Sequence, residues 1–179
     1  MLEDISRVLI TEEEIKNRVS ELGRQISEDF HGEDIVVIGL LKGCFMFIAD
    51  LMRAIDSNVA VDFMVVSSYG SGVVSSGEIK VKKDYSIDIE GKNVLVIDDI
   101  LDTGRTLAFV KDYLTVKSPK QIKICTLLDK PERRTSKVHV DYVGFSVPDQ
   151  FVVGYGLDYD EKYRNLPFIG VLKPEVYNK

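Results

Sequence analysis

The chain has 179 residues, 45% of them hydrophobic, and its 23 Lys and Arg against 29 Asp and Glu give a net charge of −6. That length suits one well-buried core rather than two independent domains, and the acidic balance argues against nonspecific binding to nucleic acid or anionic membrane as the main activity. Only Cys44 and Cys125 occur, both in apolar segments; the N-terminus lacks the pattern of a signal peptide and no apolar stretch reaches ~18 residues, so a cytoplasmic protein with reduced thiols and no membrane span is expected.

Thr11 and Glu14 have capping-box spacing, and Ile15, Val19, Leu22 and Ile26 then recur on one face, which predicts an amphipathic helix. Residues 34–41 form a short apolar run, predicted as a buried strand that turns at Lys42-Gly43 into a helix with Phe45, Ile48, Met52 and Ile55 at helical spacing. Residues 59–67 read as a strand, and residues 78–83 as a half-exposed one, with Ile79 and Val81 alternating with Lys80 and Lys82. The glycine- and serine-rich stretch between them predicts a flexible loop. Residues 94–98 are the predicted central strand, the helix after Gly104 carries Leu107, Val110 and Leu114 on one face, and residues 121–128 complete a βαβ unit. The alternation predicts an α/β fold with a mostly parallel central sheet flanked by helices, binding ligands at the carboxyl ends of its strands. From about residue 142 the pattern shifts to glycines and tyrosines before a last short strand at 168–172. A small appendage to a single domain spanning residues 1–179 is therefore expected. His31 and His139 are too isolated for a histidine metal cluster, so any metal must take oxygen ligands.

The chemistry concentrates in VLVIDDILDTGRTL, residues 94–107, where three aspartates follow an apolar strand. Carboxylates placed there repel one another and resist desolvation, which calls for a cation or a donor-rich ligand. Thr103, Gly104, Arg105 and Thr106 open a helix directly after the strand, so free N–H groups and the positive end of the helix dipole face outward, as an anion site requires. A merely capped helix would leave the same pattern. Neither the Walker loop nor Gly-x-Gly-x-x-Gly is present. What remains is a phosphate cradle preceded by Asp98 and Asp99, suited to vicinal sugar hydroxyls, and by Asp102, free for another task.

This segment resembles the phosphoribosyl pyrophosphate signature of the type I phosphoribosyltransferases, and an Asp at position 102 resembles their 6-oxopurine branch. Further motifs extend the likeness from about residue 35 to residue 172. The resemblance implies a type I phosphoribosyltransferase fold with a hood subdomain, built mainly from residue 142 onward and partly from the N-terminus. It also implies Mg²⁺-dependent transfer of a phosphoribosyl group from phosphoribosyl pyrophosphate to hypoxanthine or guanine. Carried over, Asp98 and Asp99 hold the ribose hydroxyls and Mg²⁺, Thr103 to Thr106 the ribose phosphate, and Asp102 accepts a proton from the purine imidazole. The family often has Glu where this chain has the shorter Asp98.

Leu41-Lys42-Gly43 resembles the pyrophosphate loop, where main-chain N–H groups face the leaving group and the Leu-Lys peptide is often cis; Lys42, Gly43 and Arg164 are then pyrophosphate contacts. Ser68 and Tyr69 match a mobile lid. Lys130 is implied to face the exocyclic oxygen of the purine, Phe151 and Ile100 to form apolar walls, Val152 to offer main-chain contacts, and Asp158 to bind Mg²⁺. Self-association as dimers or tetramers, with no nucleic-acid or membrane partner, follows from the same likeness. Two alternatives stay open: a nucleic-acid-binding regulator that senses phosphoribosyl pyrophosphate, and a xanthine- or pyrimidine-specific transferase.

Overall fold

The computed structural model describes residues 1–68 and 79–178. Strand β1 (Ile5–Ile10) leads into α1 (Glu12–Phe30), which opens on the expected capping box: Glu14 N donates to Thr11 Oγ1 at 3.2 Å and Thr11 N donates to Glu14 Oε2 at 2.8 Å. Those bonds satisfy N–H groups that the first helical turn leaves free. Ile15, Val19, Leu22, Ile26 and Phe30 form the buried stripe.

β2 (Ile35–Leu40), α2 (Phe45–Ala54), β3 (Val59–Ser68), β4 (Ile79–Lys83), β5 (Asn93–Leu101), α3 (Arg105–Thr115), β6 (Gln121–Asp129) and β7 (Tyr142–Ser146) follow. They build a six-stranded sheet in the order β4-β3-β2-β5-β6-β7, parallel except for the antiparallel edge pair β3–β4. Successive β5 side chains feed opposite cores, as a pleated strand requires. Leu95 and Ile97 pack with α1 and α2, while Val94 and Val96 pack with Leu107, Val110 and Leu114 of α3.

β8 (Val152–Val153), β9 (Ile169–Leu172) and α4 (Pro174–Tyr177) end the described chain. β9 pairs antiparallel with both β1 and β8, giving a separate three-stranded sheet from the two ends of the chain. It has a small core of its own around Val153, Tyr163, Leu166 and Leu172.

Three sequence expectations need correction. Residues 142–146, expected in the appendage, form the edge strand of the large sheet, so the change of architecture falls after Ser146. β5 continues three residues past Asp98, because Asp98, Ile100 and Leu101 keep register with Thr126, Leu128 and Asp129. On α2 the buried face is Phe47, Ile48 and Leu51, with Phe45 exposed, because the sheet and α1 approach from the side that Phe47 occupies.

Asp62 on β3 fastens the connection that leads into β5. Its carboxylate accepts from Ser86 N at 2.6 Å, Ser86 Oγ at 2.9 Å, Ile87 N at 3.2 Å and Phe63 N at 2.7 Å. These donors, Ser86 N foremost, hold the carboxyl down to about 2 against the opposing effect of burial. A depressed folded-state value means the stabilisation is complete above the unfolded value of about 3.9 and is lost as pH falls through about 2. Asp62→Ala is expected to cost roughly 1 kcal/mol at neutral pH, with the melting-temperature gap to the unmodified chain closing toward pH 2. A gap independent of pH in parallel thermal melts contradicts this.

Candidate active site

The alternation of β5 continues into its charged end. Asp98 is only 9% exposed and lies with Thr106 and Leu107 beside the start of α3, whereas Asp99 turns to the opposite face and meets the loop after β2. Asp99 N donates to Asp98 Oδ1 at 3.0 Å. Burial, then the neighbouring carboxylate, pushes Asp98 well above the usual carboxylate range. Asp99 is also pushed up by burial, while its hydrogen bonds and the Arg164 guanidinium pull the other way. Consecutive carboxyl groups, one buried and one half-buried, are a costly arrangement that a cation or hydroxyl donors would relieve.

Past β5 the chain enters a cradle of about 60 Å³ lined by Asp98, Ile100, Asp102, Thr103, Gly104 and Thr106. Gly104 takes a left-handed conformation at φ 82 immediately before α3, and Arg105 N sits 3.4 Å from Thr103 Oγ1. The carbonyl of Thr103 accepts from Thr135 N and Ser136 N, both at 3.0 Å, so the segment after β6 braces the turn from outside. The first N–H groups of α3 have no acceptor within the helix, as at any helix N-terminus, and Gly104 and Thr106 at this end line the cradle.

The loop after β2 has a cis peptide between Leu41 and Lys42. Gly43 follows in a space that admits no side chain: a Cβ there would lie 1.6 Å from Asp99 Oδ2. On its other side, a Cβ on Gly156 would lie 2.1 Å from the Gly43 carbonyl oxygen, and Gly156 has φ 102. The loop therefore meets the segment after β8 through backbone and the aspartate strand through the Asp99 carboxylate. Lys42 Nζ donates to Glu161 Oε1 at 3.0 Å, and Arg164 Nη2 lies 3.2 Å from Glu161 Oε2 and 3.0 Å from Asp158 Oδ1. Arg164 Nη1 also donates to Gly156 O at 2.8 Å, and Asp158 Oδ2 accepts from Glu161 N at 2.9 Å.

At the end of β6, Lys130 is 7% exposed and donates to Gln150 O at 2.7 Å, with Asp149 Oδ1 at 3.7 Å. The sequence treats it as a lysine on a strand end; the structure buries its stem and leaves two of its three N–H donors for other partners. Arg133 Nε lies 2.8 Å from Asp102 Oδ1, off the line a hydrogen bond needs, and its Nη1 is 3.5 Å from Asp149. Asp102 is thus paired, not free. Arg134 Nε donates to Asp102 O at 3.2 Å and ion-pairs with Asp129. Phe151 exposes 36% of its surface at the start of β8, Val152 pairs with Val171, and Ile100 is half-buried against the α1–α2 core.

The residues singled out from sequence thus gather around the carboxyl ends of β2, β5 and β6 and the small sheet above them. Ser68 closes the backbone of β3, but its side chain and Tyr69 lie outside the described residues. Glu161, Arg133 and Asp149 were not anticipated. Glu161 had a readable signal, since it stands three residues from both Asp158 and Arg164. The others become visible only once the segment after β6 is folded back onto Asp102.

Residues 10–160 match the phosphoribosyl transferase domain family. A hypoxanthine-guanine phosphoribosyltransferase of Streptococcus thermophilus is 51% identical over 180 residues, covering all of both chains. The bifunctional protein TilS/HprT of Listeria monocytogenes is 51% identical over 179 residues, and there the chain spans 28% of the relative's length. Among solved structures, a hypoxanthine phosphoribosyltransferase of Staphylococcus aureus aligns with a TM-score of 0.96 at 50% identity, covering 100% of this chain and 97% of the other. With the fold, the motif order and full-length similarity in agreement, the chain belongs to the phosphoribosyltransferase family, in the branch of the hypoxanthine-guanine phosphoribosyltransferases.

Proposed function

We propose that the chain serves purine salvage by transferring the phosphoribosyl group of phosphoribosyl pyrophosphate to hypoxanthine or guanine, giving IMP or GMP and pyrophosphate. The observation that carries this reading is one continuous strand, turn and helix. It presents the buried Asp98 and the half-buried Asp99, then Asp102, then the N-terminus of α3. Asp98 and Asp99 accept from the ribose hydroxyls, and Thr103, Gly104, Arg105 and Thr106 surround the ribose phosphate. A purine nitrogen attacks the anomeric carbon, the bond to pyrophosphate breaks, and the imidazole proton passes to Asp102. Lys130 donates to the exocyclic oxygen, which disfavours adenine because its amino group offers no acceptor there. Phe151 and Ile100 flank the purine, and Val152 meets its edge through backbone.

Lys42, Gly43 and Arg164 receive pyrophosphate. Both cations now hold Glu161, whose carboxylate occupies the place of an anion between them. The Glu161 carboxylate thereby competes with phosphoribosyl pyrophosphate for these two cations.

The available donors fit Mg²⁺. Asp98, Asp99 and Asp158 offer only oxygen, the buried Asp98 is short of positive charge, and among the described residues no three His, Cys, Asp or Glu converge into a complete cage. An ion that keeps several waters and takes substrate oxygens suits such a set. When bound, Mg²⁺ offsets the charge of the departing pyrophosphate. A dimer or tetramer and a cytoplasmic location belong to the same reading; no helix among the described residues is long and apolar enough to cross a membrane. The regulator and the xanthine- or pyrimidine-specific alternatives gain no support from the relatives.

Asp102→Asn keeps the size of the side chain and removes the basic carboxylate. The single-turnover rate with hypoxanthine should fall by ~10²–10⁴ while the Kd of phosphoribosyl pyrophosphate stays nearly constant. Collapse of phosphoribosyl pyrophosphate binding instead would assign Asp102 to the sugar-phosphate site.

Lys130→Ala removes both the purine contact and the anchor on Gln150. The KM for hypoxanthine should rise by about one to two orders of magnitude, the equivalent of ~1–3 kcal/mol, with much less effect on the KM for phosphoribosyl pyrophosphate. Equal increases in both constants contradict the assignment.

Glu161→Gln should act in the opposite direction. With the competing carboxylate gone, the KM for phosphoribosyl pyrophosphate should fall by ~2–5-fold, the scale of exposed ion pairs, and the hypoxanthine KM should hold. A rise in the former shows that Glu161 supports the site instead of competing in it.

A further inference from the structure

Phe151 sits at the edge of the shortest strand of the small sheet, with 36% of its surface exposed. Its ring is nevertheless not free. Tyr177 stacks on it with centroids 4.9 Å apart and an interplanar angle of 23°, and Tyr159 meets it edge-on at 5.5 Å and 90°. Both contacts have the geometries that aromatic quadrupoles favour. Tyr177 is held in place independently of the ring. Leu172 N donates to Phe151 O at 2.9 Å, Lys173 N donates to Asp4 O at 2.9 Å, and Pro174 opens the single turn that ends at Tyr177. One face of Phe151 is thus covered by a fixed neighbour, Tyr159 packs at right angles to the ring, and more than a third of the residue stays exposed for a ligand.

From this geometry we infer that Tyr177 is a positioning residue for the purine: it fixes the plane of Phe151 so that the base stacks on a ring already set in orientation. The inference rests on the reading of Phe151 as the stacking partner of the purine. Without Tyr177, an exposed phenylalanine can turn about two side-chain torsions, and the base must restrict that freedom on binding. The ring of Tyr177 supplies this support, not its hydroxyl.

Three variants test it: Tyr177→Ala, Tyr177→Phe and Phe151→Leu, each assayed for kcat, for the KM of hypoxanthine and of phosphoribosyl pyrophosphate, and for melting temperature. Tyr177→Ala should raise the KM for hypoxanthine by about three- to tenfold, the scale of one aromatic pair, with kcat and the other KM close to those of the unmodified chain. Tyr177→Phe should restore the hypoxanthine KM. An unchanged hypoxanthine KM in Tyr177→Ala overturns the inference. So does a parallel rise in both KM values with a lowered melting temperature, which marks a structural role only, or failure of Tyr177→Phe to rescue. Phe151→Leu separates the two levels: if it raises the hypoxanthine KM and Tyr177→Ala does not, only the role of Tyr177 fails. If Phe151→Leu has no effect, the reading of Phe151 fails and the inference falls with it.

Discussion

The site depends on a place where two backbones and one carboxylate come too close for further side chains. Gly43 lies against the Asp99 carboxylate on one side and against Gly156 on the other, and a methyl group on either glycine would overlap its neighbour. Through this double contact the end of β5, the loop after β2 and the segment after β8 share one set of coordinates. The small sheet is thereby seated over the carboxyl ends of the large one, which brings Asp158 and Arg164 beside Lys42. Tyr155 reinforces the seat, with its hydroxyl donating to Asp50 of α2 at 2.6 Å.

Around that contact, the charges that would meet substrate are already engaged by the protein. Lys42 and Arg164 share Glu161, Asp102 faces Arg133, and Lys130 spends one donor on Gln150 O. Most of these pairs are half-exposed, so each adds little stability. Their effect is to keep long side chains gathered, at the expense of an exchange of partners when ligands arrive. Asp98 and Asp99 differ, since desolvation makes their charge costly and among the described residues only Arg164, acting on Asp99, offsets it. A ligand that brings hydroxyl groups and a divalent ion meets the larger electrostatic need.

Local signals made much of this readable in advance. The capping box of α1, the apolar runs of β2 and β5 and the stripe of α3 depend on neighbours in sequence, and residues 98–106 carry their anion-binding chemistry on consecutive positions. Reading failed where partners are remote. β7 is a half-buried edge strand with Gly144 in its middle, so its apolar pattern is diluted until β6 supplies the ladder. The carboxylates of Asp98 and Asp99 mask the continuation of β5 in the same way. Lys42 and Glu161 stand 119 positions apart, and nothing in the local pattern of either names the other. Phe151 reads as an isolated aromatic until β9 turns the last helix back over it.

The pairing of β1 with β9 joins residues 5–10 to residues 169–172, almost the entire chain apart. Closing so long a loop in an unfolded chain is entropically unfavourable and gives nothing back until many other contacts exist. Once the six-stranded sheet has formed, however, the ends of the chain are already near one another and the same closure is short. Contact order therefore favours forming the sheet that carries Asp98 to Thr106 before the three-stranded sheet beside Phe151 closes. By the same topology the purine site is divided: Ile100 and Lys130 stay with the large sheet, whereas Phe151 and Val152 belong to a unit that local opening can detach without the ribose-phosphate cradle.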